Sequence, residues 1–333
     1  MTGMDVGLAL VGHGAWGRNL ARNFADLGAL RWVCDTDPAA LAGASAYPDA
    51  RTTGHFEDVL ADPGVRAVAL ATPSGLHARM ATEAIKHDKD VFVEKPLALR
   101  YKEGRDLVDA AEASGAVLMV GHILEYHPAV TRLKELVRAG ELGELRYVYS
   151  NRLNLGTIRT EENILWSFAP HDISVITSLA NEEPDRVSTW GGSYLQAGIA
   201  DVTLTNLSFP RGLLAHVFVS WLHPFKEQRL VVVGERGMAV FDDTADEGKL
   251  RIYDRGVEWE NGVPVARQAP AKVPDLPGDE PMRLELEHFI GCVTNRSQPL
   301  TNGANGLLVL RVLEASQASL ERGASVDLAE VVA

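Results

Sequence analysis

Up to about residue 120, apolar residues fall in short unbroken runs, separated by stretches where they recur every three or four positions. The runs "VGLALVG", "LRWVCD", "VRAVALATP", "DVFVEKP" and "AVLMVGH" lack polar alternation, as strands buried on both faces of a parallel sheet do. Between them, "GRNLARNFADLG", "PAALAGASAY", "GLHARMATEAIKHD" and "RYKEGRDLVDAAEASG" carry apolar residues at helical spacing. Strand and helix in this alternation predict a doubly wound α/β domain over residues 1–121.

Beyond that point the period changes. "PAVTRLKELVRAGELGE" predicts a helix ended by Gly140 and Gly143. Strand-like segments follow: "LRYVYSNRLNL", "RVSTWGGSYL", "ADVTLTNLSFPRGLLAHVFVSWL", "QRLVVVGERGMAVFDD" and "KLRIYD". "FPRG" reads as a hairpin turn, and successive strands with tight turns imply a mostly antiparallel sheet. The Pro-rich "RQAPAKVPDLPGDEP" predicts a loop or strap, and "MRLELEHFIGCVTN" and "GANGLLVLRVLEASQASLERG" predict two closing helices. Residues 122–333 are therefore expected to form an α+β domain with a large, open-faced sheet, the last helices packing back on the first domain.

Composition narrows the field. With 45 acidic and 32 basic residues in 333, the net charge is −13, which argues against nucleic-acid binding. No apolar run approaches membrane-spanning length and no signal peptide is apparent, so a cytoplasmic protein is expected. The two cysteines, Cys34 and Cys292, lie in separate apolar segments, as buried thiols would, and exclude a cysteine-ligated zinc.

The candidate chemistry starts at "LALVGHGAWGRNLARNF", where Gly12, Gly14, Ala15, Trp16 and Gly17 follow a strand and open a helix. A G-x-G-x-x-G alone is weak evidence, and also suits a structural turn, but this setting suits a dinucleotide site. Gly12 allows the tight turn, Gly14 leaves room for a pyrophosphate and Gly17 lets helix and strand approach. Asp35 ends the next strand, where a carboxylate accepts from an adenosine ribose and repels a 2′-phosphate. Thr36 follows rather than Arg or Lys, which favours NAD over NADP. In "DVFVEKPLAL", Glu94 and Lys95 stand at the carboxyl end of a strand, where such sheets bind ligands. An amine beside a nicotinamide is placed to hold a substrate hydroxyl and shuttle its proton.

With "TPSGLH", "EKP", "GHILEYHPAV" and "ELEHFIGCVTNRSQPLT", the whole chain resembles the Gfo/Idh/MocA family of nicotinamide-dependent sugar oxidoreductases. The resemblance implies a Rossmann domain followed by an open-sheet domain, often in dimers or tetramers, a homotetramer being expected here. It implies that Lys95 is catalytic and that Thr72, Pro73, Ser74 and His77 lie beside the nicotinamide ribose. In the family's D-x-x-x-H signature the histidine position is His171, with Ser167 where an aspartate is common. Following Pro170, His171 is expected at a helix start, whose dipole would favour a neutral imidazole and a general base.

Within the family, "GAWGRNLARNF", "GHILEYHPAV" and "SNRLNLGTIRTEENILWSFAPHDISVI" look like members acting on UDP-linked amino sugars. The implied reaction is NAD-dependent oxidation of the C3 hydroxyl. Arg152, Asn154 and Arg159 are candidate diphosphate ligands, since guanidinium pairs with phosphate bidentately. His122 and Tyr126 are candidates to line the sugar pocket. His122, Glu125 and His127 do not have H-E-x-x-H spacing, so no metal is expected. A uronic-acid substrate, another sugar, or a catalytically silent NAD(P)-sensing regulator on the same fold remain alternatives.

Overall fold

The computed structural model describes residues 6–332. The chain divides into two units, one running to Tyr126 and including Asp279–Leu310, the other comprising His127–Gly278 and Arg311–Val332.

The first unit contains β1 (Leu8–Val11), α1 (Gly17–Asp26), β2 (Leu30–Cys34), α2 (Pro38–Ala42), β3 (Arg51–Thr53), α3 (Phe56–Ala61) and β4 (Ala67–Leu70). It continues with α4 (His77–Lys86), β5 (Asp90–Glu94), α5 (Tyr101–Ser114) and β6 (Leu118–Gly121). The six strands pair in parallel in the order β3-β2-β1-β4-β5-β6. Strand order reverses between β1 and β4, the switch point beside which open α/β sheets bind ligands.

The unbroken apolar runs have a direct cause. Leu8 and Leu10 of β1 enter one core with Phe24, Phe92 and Met119, while Ala9 and Val11 enter the opposite core with Val68, Leu70 and Val93. Both faces are covered, so no position can be polar. Phe289 of the late helix α8 (Pro281–Asn295) joins the first of these cores, so this helix completes the first unit.

The second unit holds α6 (Pro128–Arg138), β7 (Leu145–Leu155), α7 (Ile164–Ala180), β8 (Arg186–Gly192), β9 (Val202–Ser208) and β10 (Leu214–Ser220). Then come β11 (Leu222–Gly234), β12 (Met238–Asp242), β13 (Leu250–Tyr253), β14 (Gly256–Glu260), β15 (Val263–Arg267) and β16 (Ala271–Lys272). Helix α9 (Gly303–Arg322) begins in the first unit, and β17 (Val326–Asp327) ends the strand list. Nine strands form one sheet, β16-β13-β12-β11-β7-β10-β9-β8-β17, antiparallel except where β10 meets β7. Along β7 and β10, Val148, Ser150, Ala215 and Val217 are buried, whereas Tyr147 and Leu214 on the other face are exposed. One face is packed and the other open.

Differences from the sequence reading are local. The short β3 and α3 and the β14–β15 hairpin go unpredicted, because three to six residues carry too little periodicity. The Pro-rich stretch carries only the two-residue β16. The "FPRG" turn forms, with Gly212 at φ +88°, Phe209 N–H donating to Leu213 O at 3.0 Å and Gly212 N–H donating to Phe209 O at 2.9 Å.

Candidate active site

In the first unit the glycine loop leaves β1 and enters α1. Gly12 sits at φ +94°, and a Cβ there would lie 2.6 Å from Ala71 O. A Cβ on Gly17 would strike Gly12 O, so this glycine lets the helix close against its own loop. A Cβ on Gly14 would meet nothing within 4 Å, so the main chain faces open space there. No side chain caps the start of α1, and no acidic residue occupies its first turn. Its leading N–H groups are thus suited to an anion.

Asp35 is held just past β2: Oδ2 accepts from His13 N at 2.6 Å and Oδ1 from Asp37 N at 2.9 Å. Thr72 follows β4, and its buried hydroxyl has no hydrogen-bond partner. His77 ties two loops together, Nδ1 meeting Pro96 O at 2.7 Å and Nε2 meeting Thr72 O at 2.9 Å. Pro73 is exposed beside them. The open position at Gly14, the uncapped helix and the orphaned Thr72 hydroxyl fit a dinucleotide.

Lys95 is half-buried immediately after β5, preceded by the buried Glu94. The Trp16 indole N–H donates to Glu94 Oε1 at 2.5 Å, and Lys95 N donates to Oε2 at 3.2 Å. Burial pushes the Glu94 pKa up to about 7, against the opposing pull of the indole and of Lys95. His122, after β6, is 1% exposed, and burial reinforced by the Lys95 charge pushes its pKa down to about 3. It is a neutral imidazole throughout the physiological range.

Tyr126 departs from its expected place. Rather than lining a sugar pocket, its hydroxyl meets Thr301 Oγ1 at 3.1 Å and its ring packs on His288, 5.4 Å between centroids. Only 7% exposed, it is a core residue whose polar tip needed an internal partner.

In the second unit, α7 begins at Ile164, capped by the Asn163 side chain on Trp166 N. Pro170 and His171 therefore stand inside the helix, not at its start, and the dipole argument for a neutral His171 falls. Ser167 lies one turn before His171 on this helix. The carboxylate of the next residue, Asp172, accepts from Ser150 Oγ at 2.6 Å and from Arg152 Nε at 2.8 Å. Arg152, with 12% of its side chain exposed, adds a 3.3 Å bond from Nη2 to Asp172, and with the Gln228 amide turned over its oxygen accepts from Nη1 at 3.1 Å. Its guanidinium is thus spent on anchoring α7 to β7 instead of being offered to a diphosphate.

Asn154 keeps a buried, unbonded Oδ1. Arg159 is exposed in the following loop, where its carbonyl accepts from Gln196 Nε2 and its side chain lies 3.9 Å from Glu162. Sequence reasoning missed the Trp16–Glu94 bond and the Asp172 triad. A bulky indole inside a glycine loop was the one available signal for the former.

Comparison with known proteins sharpens this geometry. Residues 6–122 match the Gfo/Idh/MocA oxidoreductase family with its NAD-binding Rossmann fold, and residues 130–240 match that family's C-terminal domain. The 2,7-anhydro-N-acetylneuraminate hydratase of Escherichia coli is 26% identical, over 74% of this chain and 70% of its own. The NAD⁺-dependent scyllo-inositol 2-dehydrogenase of Bacillus subtilis is 27% identical over 97% and 96%. The UDP-N-acetylglucosamine 3-dehydrogenase of Acidithiobacillus ferrooxidans is 27% identical over 97% and 100%. A solved structure of that last enzyme superposes with a TM-score of 0.83 at 25% identity, covering 95% of this chain and 97% of the other. Among the described residues no helix is long and apolar enough to cross a membrane. The chain belongs to the Gfo/Idh/MocA family of NAD-binding oxidoreductases.

Proposed function

We propose that this oxidoreductase removes hydride from the C3 carbon of UDP-N-acetylglucosamine or a close UDP-amino sugar, yielding the 3-keto sugar. The observation that carries the reading is Lys95, half-buried at the carboxyl end of β5 in the same unit as the glycine loop. End-to-end likeness to an enzyme named for that reaction supports the choice of substrate.

The glycine loop and the start of α1 hold the diphosphate, Asp35 holds the adenosine ribose, and Thr72 and His77 order the loop beside the nicotinamide ribose. NAD⁺ supplies the hydride acceptor. Lys95 Nζ holds the reacting hydroxyl and, as the neutral amine, accepts its proton as hydride departs to the nicotinamide. His171 is the second proton-handling group, with Arg159 and Asn154 the remaining polar candidates for the sugar nucleotide. Bound geometry does much of the work, since a held hydroxyl reacts in an effectively unimolecular step.

A second reading, a dehydrogenase of a free cyclic polyol or sugar, is favoured by the equal likeness to the inositol enzyme. NADH absorbance separates the two. With NAD⁺ present, UDP-N-acetylglucosamine should react and N-acetylglucosamine or scyllo-inositol should not, and NMR should place the new ketone at C3. Turnover on the free polyol with none on the UDP-sugar would replace the first reading by the second.

The open sheet face, with Tyr147, Trp190 and Leu214 exposed and Tyr149 stacked on His216, is broad and apolar. We take further copies of this chain, four in all, as its cover.

A further inference from the structure

We propose that Glu94 is a positioning residue for the cofactor: through Trp16 it clasps the glycine loop, and protonation of Glu94 loosens that grip. The inference rests on the NAD assignment and adds a control to the same site.

Three features of the first unit converge on the Glu94 carboxylate. Trp16 is 44% exposed, yet its N–H reaches Glu94 across 78 positions of chain. Gly121 ends β6 opposite, and a Cβ there would stand 3.1 Å from the carboxyl carbon and from both oxygens. A side chain there would press on the carboxylate and make it give way by a few tenths of an ångström. The third feature is Glu285 on α8, 1% exposed, with Oε1 buried and without a hydrogen-bond partner.

Two carboxyls that sense each other in a dry place do not both ionise. Glu94 has the indole, the Lys95 N–H and the Lys95 ammonium to stabilise an anion. Glu285 has only burial and the Glu94 charge, both of which favour its protonated form. Above the Glu94 midpoint the charge therefore resides on Glu94 and the proton on Glu285. Other titratable groups nearby are His122, neutral beside Lys95, and Tyr126, on which both Glu285 and Glu125 act. His77, at the start of α4, has both ring nitrogens on backbone carbonyls.

An ionised acceptor makes a stronger bond than a neutral one. Above the Glu94 midpoint the indole is held firmly, and with it the Ala15–Gly17 main chain that receives the diphosphate. Below the midpoint the clasp weakens and the loop must be ordered by the cofactor itself.

Isothermal titration of the full-length protein with NAD⁺ at pH 6 and pH 8 tests this. Wild type should bind about fivefold more tightly at pH 8, the difference expected between a charged and a neutral acceptor. Glu94→Gln and Trp16→Phe should each bind more weakly at pH 8 and lose the pH dependence. Trp16 is partly exposed, so its variant keeps the fold if Glu94→Gln does not. A wild-type affinity equal at both pH values, or a Trp16→Phe profile matching wild type, overturns the clasp while leaving the cofactor assignment standing. Absence of NAD⁺ binding at every pH overturns the cofactor assignment itself.

Discussion

At the scale of single residues, the first unit's site is governed by where charge is tolerated. Burial pushes Glu94 up to about 7, holds His122 neutral and, with the Glu94 charge, favours the protonated form of Glu285. The last has a consequence for stability. The native state holds a proton on Glu285 that the unfolded chain releases above about pH 4.5. Stability from this group is therefore full below that pH and lost as pH rises toward the raised native value. Glu285→Gln, which cannot ionise, should gain on wild type with rising pH, by up to about 1.4 kcal/mol per pH unit. Thermal melts of both proteins at pH 5 and pH 8 read this out, and a gap that does not widen contradicts a protonated Glu285. The glycines, Asp35 and Lys95 were legible in the sequence because each follows a strand by a fixed short spacing. Glu285 was not, because it comes under the Glu94 charge only through the return of a helix from the far end of the chain.

At the scale of elements, legibility followed period and length. The continuous runs of β1, β2, β4, β5 and β6 report burial on both faces, and the alternation along β7 and β10 reports burial on one. Helix α7 was misread at its start because Pro170 suggests a first turn, whereas Asn163 provides the cap seven residues earlier and the proline lies inside the helix. That shift matters for His171, which is fixed by a helix pinned to the sheet through Asp172, Ser150 and Arg152. Arg152 looked like a ligand for phosphate since a guanidinium is the same in sequence whether or not a carboxylate already holds it. The open face of the nine-stranded sheet carries the prediction at this scale. Light scattering should give a mass of four chains, and Trp190→Glu, placed on the exposed face, should lower it. A monomeric wild type would remove the sheet face from consideration as a self-association surface.

For the whole molecule, two separately packed units divide the work between a cofactor-binding Rossmann unit and a sheet unit that carries His171. The acidic net charge of −13 gives no broad attraction for a dinucleotide's phosphates, so their recognition has to come from local donors such as the uncapped α1. Amine chemistry at Lys95 is the claim on which the activity depends, and one comparison addresses it most directly. With NAD⁺ and the best substrate of the UDP-sugar panel, Lys95→Ala should lose NADH formation by at least about a hundredfold, the scale of a lost proton carrier. Its NAD⁺ affinity, measured on the same preparation, should stay near that of wild type. Turnover within about tenfold of wild type, well short of that loss, would contradict the account.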